Sequence, residues 1–206
     1  MTFPDQKYAD IAAFAADYAE QFSKASASVD GDKLKEAASR LGEAYARRAT
    51  VYVCGNGGSA SISNHLVCDH LKGVQTDTDL KPRVISLSSN IETITAIAND
   101  ISYDDVFVYP LKTMANAGDV LITISSSGDS ENVVRAASWA KDNGLEVIAM
   151  SGFDGGRSAR LADTNLHVTA DNYGVVEDVH QSLMHILAQY LRLEQMSDEL
   201  VAARKF

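Results

Sequence analysis

The sequence predicts an α/β protein with a doubly wound parallel sheet of about five strands, preceded by two helices and followed by a long C-terminal helix. Short apolar runs alternate with helical patterns from residue 50 onward, as they do in successive βα units. Loops rich in glycine and serine follow two of these runs. Before residue 50 only helical periodicity occurs, so the first two helices must pack on the sheet or on another subunit.

The two leading helices are predicted from apolar residues at helical spacing. The first is expected from about Pro4 to Ala25, because proline suits the first turn of a helix. Asp30 is expected to cap the second helix, which should continue to Arg48. At 206 residues the chain fits one domain, with a helical pair at 1–49 and an α/β core at 50–206.

The core segment is predicted to contain four clear strands and a weaker fifth. They are Val51–Cys54, Val84–Leu87, Val120–Ile124, Val147–Met150 and Leu166–Val168. Intervening helices are expected around Glu92–Ala98, from Ser130 to about Asn143 with Gly144 as its end signal, and over about Val175–Arg204. Ligands of such folds bind where parallel strands end, so the loops after the strands are the candidate sites.

Composition excludes several classes of partner. A net charge of −10 and a pI of about 4.8 argue against nucleic acid and against anionic membranes, since both require a basic surface. Residues 1–5 lack the pattern of a signal peptide, and no run approaches 18 apolar residues, so we expect a cytoplasmic protein.

Cys54 and Cys68 are predicted to be reduced, buried thiols.

The first glycine-rich loop follows the first strand and predicts an anion site. Gly55, Gly57 and Gly58 permit a tight turn, and Ser59 is a suitable N-cap for the next helix. A strand that passes through a glycine turn into a helix presents unpaired N–H groups and the positive end of the helix dipole to a ligand.

The second loop, residues 125–130, places several hydroxyl groups between a strand and a helix. Hydroxyl groups and the N–H groups of a helix terminus can bind phosphate without a cation, although a plain serine-rich turn capped by Ser130 is the alternative interpretation. Neither loop fits the Walker pattern or the dinucleotide fingerprint. The candidate phosphate ligands are Ser125, Ser126, Ser127 and Ser130.

Ionisable residues recur on the helix after the first loop and on the last helix. His65 and Asp69 share a helix face at i, i+4, and Glu177 and His185 lie about 80° apart around the last helix. Such groups can converge on a divalent metal such as zinc or can divide acid and base roles, whereas a solvated surface pair is the alternative for His65 and Asp69. The remaining histidines are predicted to be structural or on the surface: His70, His167 and His180.

These motifs, taken in this order over nearly the whole chain, resemble the sugar-isomerase (SIS) fold and, more narrowly, the bacterial phosphoheptose isomerases. The residues that carry the resemblance are Cys54 to Ser59 with His65 and Asp69, Ala98-Asn99-Asp100, Gly118-Asp119-Val120, Ile124 to Ser130, Ser151 to Gly156, and Glu177-Asp178-Val179-His180 with His185. The resemblance implies isomerisation of sedoheptulose 7-phosphate to D-glycero-D-manno-heptose 7-phosphate through an enediol, which supplies heptose for surface glycans. It also implies a homotetramer with sites shared between subunits.

The resemblance further implies a role for each site residue. Asp69 and His185 would be the catalytic base and acid, and the four serines would hold the phosphate. The sugar would be bound by Asn56, Gly57, Gly58, Ser59, Asp69, Asn99, Asp100 and Glu177. One zinc ion per site would be held by His65, Asp69, Glu177 and His185.

The chain departs from the family pattern at three positions. Asp69 stands where the family has glutamate, Glu177 where it has glutamine, and Gly73 where it has a basic residue, with Lys72 the nearest cation. A non-catalytic SIS protein that binds a partner, like the factor that binds the bacterial replication initiator, is the alternative function. That relative lacks ionisable residues at the positions of Asp69 and His185, so their presence favours the enzyme. A sugar-phosphate-sensing regulator is a third interpretation, but such proteins usually add a DNA-binding domain.

Overall fold

The computed structural model describes residues 3–206, so Met1 and Thr2 of the N-terminal stretch considered above lie outside the described residues. The described strands are β1 (Thr50–Gly55), β2 (Arg83–Ser86), β3 (Val120–Ser125), β4 (Glu146–Ser151) and β5 (Thr164–His167). The helices are α1 (Ile11–Ala27), α2 (Gly31–Ala46), α3 (Gly58–Cys68), α4 (Ile91–Asp100), α5 (Val108–Met114), α6 (Glu131–Asp142), α7 (Gly156–Leu161), α8 (Tyr173–Leu193) and α9 (Asp198–Ala203). A π-helical turn, Asp69–Val74, continues α3, and a 3₁₀ turn, Tyr103–Asp105, follows α4.

All five strands form one parallel sheet in the order β2-β1-β3-β4-β5. The chain passes from β1 outward to β2 and then returns to place β3 on the other side of β1, with Val51 paired to both Val84 and Val120. The loops after β1 and β3 therefore leave neighbouring strands in different directions. This is the topological switch point at which ligands bind in such sheets.

Helices cover both faces of the sheet, as the doubly wound prediction requires. Val51 and Val53 belong to a core with α1, α2, α3 and α8, whereas Tyr52 and Cys54 belong to a second core with α4, α5 and α6. Successive side chains of a strand point to opposite faces, so a strand buried on both sides is apolar throughout. The predicted fold class is confirmed.

The first helix begins later than predicted. α1 starts at Ile11 because the Asp10 carboxylate accepts a hydrogen bond from the Ala13 N–H at 2.8 Å, so the predicted start at Pro4 is wrong. Phe3 is instead buried, with its ring stacked on Phe14. The predicted cap of α2 is confirmed, since Asp30 accepts from two N–H groups of the first turn, but α2 ends at Ala46.

The C-terminal segment forms two helices instead of the one predicted over Val175–Arg204. α8 ends at Leu193, and α9 begins at Asp198 after Ser197, whose side chain accepts from the Leu200 N–H. Ser197 is a favourable N-cap within the last ten residues of the predicted helix, so a new helix begins there. Within residues 3–206, no helix has both the length and the apolar character needed to cross a bilayer.

The cysteines and the other histidines differ in burial. Cys54 is buried, which raises the pKa of its thiol to about 12, but Cys68 is exposed, so the prediction of two buried thiols is wrong for Cys68. His70 and His180 are fully buried, which agrees with the structural alternative of the prediction and not with a position on the surface. His167 is half-buried beside the Ser151 hydroxyl and does not lie fully on the surface.

Candidate active site

The glycine turn after β1 brings the backbone against the neighbouring strand. A Cβ atom on Gly55 would overlap the Ile124 carbonyl oxygen, so only glycine fits there. Gly57 has a φ of +54° and precedes α3 directly, so the helix starts at Gly58. The prediction that Ser59 caps α3 is therefore wrong: Ser59 lies inside the first turn and is buried.

The loops after β1 and β3 enclose a small cavity, which we call the serine cavity. Its volume is about 130 Å³, and it contains most of the predicted phosphate and sugar ligands. The lining residues are Asn56, Ser59, Ile124, Ser125, Ser126, Ser127, Ser130, Tyr173 and Glu177. The switch point thus places both predicted loops on one cavity.

The loop at 125–130, here the serine loop, is fixed by its backbone. Gly128 has a φ of +67°, and its N–H donates to the Ser125 hydroxyl at 3.1 Å. A Cβ atom on Gly128 would overlap the Gly155 carbonyl group, because the turn before α7 packs directly against the loop. The Ser126 carbonyl oxygen accepts from the Gly152 N–H at 3.0 Å, which ties the loop to the end of β4.

Two hydroxyl groups of the serine loop make no hydrogen bond within residues 3–206. The Ser126 Oγ is buried and has no hydrogen-bond partner among residues 3–206. Ser130 occupies the N-cap position of α6 but makes no side-chain capping bond. Its position is the predicted one, whereas its hydroxyl group is not used by the helix. A buried hydroxyl without a partner is costly, and an anion in the cavity would satisfy it.

Charges beside the serine loop are paired away from the cavity. Arg157 donates to the Asp129 carboxylate at 2.9 Å and to the Glu131 carboxylate at 2.8 Å. These contacts hold the pKa values of both carboxyl groups below their usual range. None of the residues that line the cavity is a lysine or an arginine. An anion there would be held by hydroxyl groups and N–H groups, as the sequence predicts.

Glu177 lies at the serine cavity, close against the start of α3. A Cβ atom on Gly58 would overlap the Glu177 carboxylate, so the glycine makes room for this side chain. Burial, and secondarily the charge of Asp178, raises the pKa of Glu177. Glu177 thus lies between the glycine turn before α3 and the serine cavity.

A second group of side chains joins α3 to α8 beyond the cavity; we call His65, Asp69 and His185 the histidine–aspartate group. The Asp69 carboxylate lies between the two imidazoles, with Oδ1 at 3.4 Å from His65 Nε2 and Oδ2 at 3.4 Å from His185 Nε2. Asp69 opens the π-helical turn, a local widening that is frequent at functional sites. The predicted His/Asp face and the predicted His185 therefore meet.

The histidine–aspartate group fits a metal ion. One donor atom from each of the three residues lies within 4.8 Å of the others. Two imidazoles and one carboxylate form the protein ligand set of many catalytic zinc sites, which keep a fourth position open. Glu177, the fourth predicted ligand, is not part of this group and lies at the serine cavity.

Three other predicted residues are exposed and do not line the serine cavity. Asn99 and Asp100 are exposed in the last turn of α4, where the Asn99 amide donates to the Asp100 carboxylate at 2.7 Å, and neither lines the serine cavity. Gly57 is exposed at the turn. In this chain the two α4 residues therefore face solvent, and their roles in substrate binding stay predictions.

Sequence reasoning missed four residues of the site. Tyr103 and Asn132 hold the Asn56 side chain, each by a hydrogen bond of 3.0 Å to its Oδ1 atom, and Tyr173 lines the serine cavity. Gln181 contacts both histidines of the histidine–aspartate group. Only Gln181 carried a usable signal, because it lies four residues before His185 on one helix face.

Comparisons with known proteins identify the family of this chain. Residues 13–152 match the SIS domain family. A phosphoheptose isomerase of Helicobacter pylori (strain P12) is 37% identical over 156 residues, which cover 76% of this chain and 81% of the relative.

Two solved structures agree with the same fold over most of the chain. A phosphoheptose isomerase from Neisseria gonorrhoeae superposes with a TM-score of 0.80 at 28% identity, covering 88% of this chain and 96% of that one. One from Francisella tularensis gives a TM-score of 0.81 at 27% identity, covering 89% and 99%. The chain belongs to the SIS domain family and, within it, to the phosphoheptose isomerases.

Proposed function

We propose that this protein is a sugar-phosphate isomerase that converts sedoheptulose 7-phosphate into D-glycero-D-manno-heptose 7-phosphate through an enediol. The observation that carries the proposal is the placement of an anion cavity and an acid–base group along the same two helices, α3 and α8. The names of the Helicobacter, Neisseria and Francisella relatives support the same reaction class.

The spacing along α8 supports a long substrate. Glu177 at the serine cavity and His185 in the histidine–aspartate group are eight residues apart in the same helix, which corresponds to about 12 Å at 1.5 Å per residue. With bonds of about 1.5 Å, an extended seven-carbon chain and its terminal phosphate span roughly 10 Å. A phosphate in the cavity would therefore bring the opposite end of the sugar to Asp69 and His185.

The chemistry requires one base and one acid at that end. The Asp69 carboxylate would remove a proton from C1 of the ketose while a ring N–H of His185 donates a proton to the C2 oxygen, which gives the enediol. Asp69 would then return its proton to C2, and His185 would take the O1 proton, which leaves the aldose and restores both groups. Asp69 is one methylene shorter than the family's glutamate, so the sugar must approach α3 more closely than in the relatives.

A zinc ion belongs to the proposal as a cofactor held by His65, Asp69 and His185. When bound, zinc supplies a Lewis acid that polarises the substrate carbonyl and stabilises the oxygen atoms of the enediol. Glu177 would line the sugar-phosphate cavity in place of ligating the metal, which modifies the predicted four-residue set.

Self-association is also part of the proposal. Ile186, Tyr190 and Leu193 are 42–47% exposed and recur at i, i+4 and i+7 along α8. An exposed apolar stripe of this kind favours burial against another copy, and a closed homotetramer would satisfy it. Light scattering of the purified protein measures this directly; a monomer at micromolar concentration would contradict it.

The deciding experiment is proton exchange followed by NMR. Sedoheptulose 7-phosphate is incubated in D₂O with the protein, with and without zinc. Deuterium next to the carbonyl, together with accumulation of aldose phosphate, is the expected result. Absence of exchange under both conditions, with phosphate still raising the Tm, would reject this substrate and leave another sugar phosphate or the non-catalytic SIS protein.

A further inference from the structure

The Asn56 side chain, which lines the serine cavity, is paired with a second asparagine, Asn132. The two carboxamides exchange hydrogen bonds: Asn56 Nδ2 donates to Asn132 Oδ1 at 2.9 Å, and Asn132 Nδ2 donates to Asn56 Oδ1 at 3.0 Å. Asn56 belongs to the turn after β1, whereas Asn132 lies in the first turn of α6, directly after the serine loop. The pair therefore joins the two loops that enclose the cavity.

The backbone determines which way the Asn132 amide faces. The oxygen and nitrogen ends of a carboxamide have nearly the same shape, so their hydrogen-bond partners decide which orientation is the more stable. Asn132 is 2% exposed, and its Oδ1 atom accepts from the Val133 N–H at 2.9 Å. A backbone N–H can only donate, so it requires the oxygen at this position. The reversed amide would place its NH₂ group against that donor.

The orientation of Asn132 fixes that of Asn56 in turn. The Asn132 oxygen requires a donor opposite it and the NH₂ group requires an acceptor, so Asn56 presents its Nδ2 and Oδ1 atoms in the observed order. Tyr103 donates to the same Oδ1 atom at 3.0 Å, but a phenol can donate or accept and therefore follows the amide. Tyr103 is also 55% exposed, whereas Asn132 is buried. Asn132 is therefore the residue that sets the orientation.

These bonds leave one hydrogen-bonding group of the Asn56 side chain unused. Its Oδ1 atom accepts from Asn132 and from Tyr103, which occupies both lone pairs. Its NH₂ group carries two hydrogen atoms, and one of them is donated to Asn132. The side chain of Asn56 thus offers a ligand in the serine cavity a single N–H donor and no acceptor.

We propose that Asn132 is a positioning residue that makes Asn56 a donor-only ligand for the phosphate group in the serine cavity. Phosphate oxygen atoms accept hydrogen bonds, whereas an amide oxygen turned towards them would repel them. None of the residues that line the cavity is a lysine or an arginine, so the direction of each neutral dipole decides how well an anion is held. This inference rests on the proposed function, because it takes the anion to be the phosphate of the substrate.

The first test is a double-mutant cycle on thermal stability, measured without any ligand. Asn56→Ala and Asn132→Ala are made singly and together, and Asn132→Ser replaces Asn132→Ala in the cycle if the alanine variant does not fold. Each single change already breaks the amide pair, so the loss of Tm in the double variant should be smaller than the sum of the two single losses. Additive losses would overturn the proposal.

The second test measures the binding of inorganic phosphate and of sedoheptulose 7-phosphate by calorimetry. Asn132→Ala should weaken both affinities about tenfold, the effect of losing a hydrogen bond to a charged group. Asn165→Ala is the matched control, since Asn165 is a half-buried asparagine of β5 that does not line the serine cavity, and it should leave both affinities unchanged. Tyr103→Phe should change them less than twofold, because Asn132 still fixes the amide.

The same measurement in an Asn56→Ala background shows whether Asn132 acts through Asn56. In that background Asn132→Ala should weaken phosphate binding no further, whereas a general distortion of the serine loop would weaken it by the same factor in both backgrounds. An equal loss in the two backgrounds would contradict the proposal. Absence of phosphate binding to the unmodified protein would contradict it as well.

Turnover separates this inference from the proposed function. If the isomerase reaction occurs, Asn132→Ala should raise KM about tenfold and change kcat little, because Asn56 binds the phosphate and not the reacting carbon atoms. Coupled loss of phosphate binding in a protein that does not isomerise the sugar would reject the function and retain the role of Asn132. An active Asn132→Ala enzyme with an unchanged KM would do the reverse.

Discussion

The serine cavity and the histidine–aspartate group are built in opposite ways. The serine cavity is framed by backbone: Gly128 packs against the Gly155 carbonyl, and Gly152 donates to the Ser126 carbonyl. The histidine–aspartate group is framed by half-exposed side chains from two helices and held by long contacts and by Gln181.

In the proposed enzyme, this difference suits two separate tasks: the serine cavity holds the phosphate, and the histidine–aspartate group carries out the proton transfers. An unchanging phosphate group can be held by a rigid backbone surface, because its shape and charge do not alter during the reaction. Acid–base groups must exchange protons with a changing substrate, and side chains that reach solvent can do so. Changes to the two regions should therefore have different consequences for stability, binding and turnover.

The largest expected effect comes from removing the acid or the base. Asp69→Asn and His185→Ala should each lower kcat by about 10²–10⁴-fold, the usual contribution of general acid–base catalysis. Both side chains are partly exposed, so circular dichroism and the unfolding midpoint should stay close to those of the unmodified protein. Retained turnover in either variant would remove that residue from its catalytic role.

A glycine substitution tests the rigidity of the serine cavity. Gly128→Ala should lower the free energy of unfolding by about 2–3 kcal/mol, because the new Cβ atom meets the Gly155 carbonyl and φ is positive. Gly118→Ala is the control, since its φ of +88° is also positive but a Cβ atom there meets nothing within 4 Å. Urea unfolding that gives equal losses for the two variants would show that packing against the loop contributes nothing.

The buried histidine behind the serine loop predicts a dependence of stability on pH. Burial lowers the pKa of His180 to about 4, an effect that the nearby Ser151 backbone opposes only in part. The unfolded chain, with a pKa near 6.5, binds more protons between pH 6.5 and 4, so stability is lost as the pH falls through this range. The loss from this ring should reach about 2 kcal/mol at pH 5.

His180→Leu isolates that contribution. Leucine cannot take up a proton, so the difference in unfolding free energy between pH 7.5 and pH 5 should shrink by about 2 kcal/mol relative to the unmodified protein. Urea titrations at the two pH values measure it. An identical pH dependence in both proteins would mean that His180 is protonated equally in the folded and unfolded states.

The smallest effect should come from one hydroxyl group of the cavity. Ser126→Ala removes a buried Oγ atom that has no partner within residues 3–206, so the free energy of unfolding should stay the same or rise slightly. The KM for the sugar phosphate should rise about tenfold, the effect of losing a hydrogen bond to a charged group, while kcat changes little. A fall in stability with unchanged KM would place this hydroxyl in the fold instead of the binding site.

The histidine–aspartate group was only partly predictable. The i, i+4 spacing placed His65 and Asp69 on one helix face, but no local signal fixes how α3 and α8 cross. The crossing brings His185 to Asp69 and directs Glu177 to Gly58 and the serine cavity, so the predicted fourth metal ligand is missing from the group. Gln181 gains its partner on α3 only through this crossing.

By itself, the sequence determined the order of the five strands and of the helices α1 to α4, α6 and α8, the covering of both sheet faces and the two loops that carry the candidate phosphate site. These features follow from apolar periodicity and from glycine and serine chemistry, which act within a few residues. The tertiary structure decided which side chains face the cavity and which ionisable residues meet. Those outcomes depend on packing between segments more than 100 residues apart, as for His65 and Gln181, whose separation in the chain is 116.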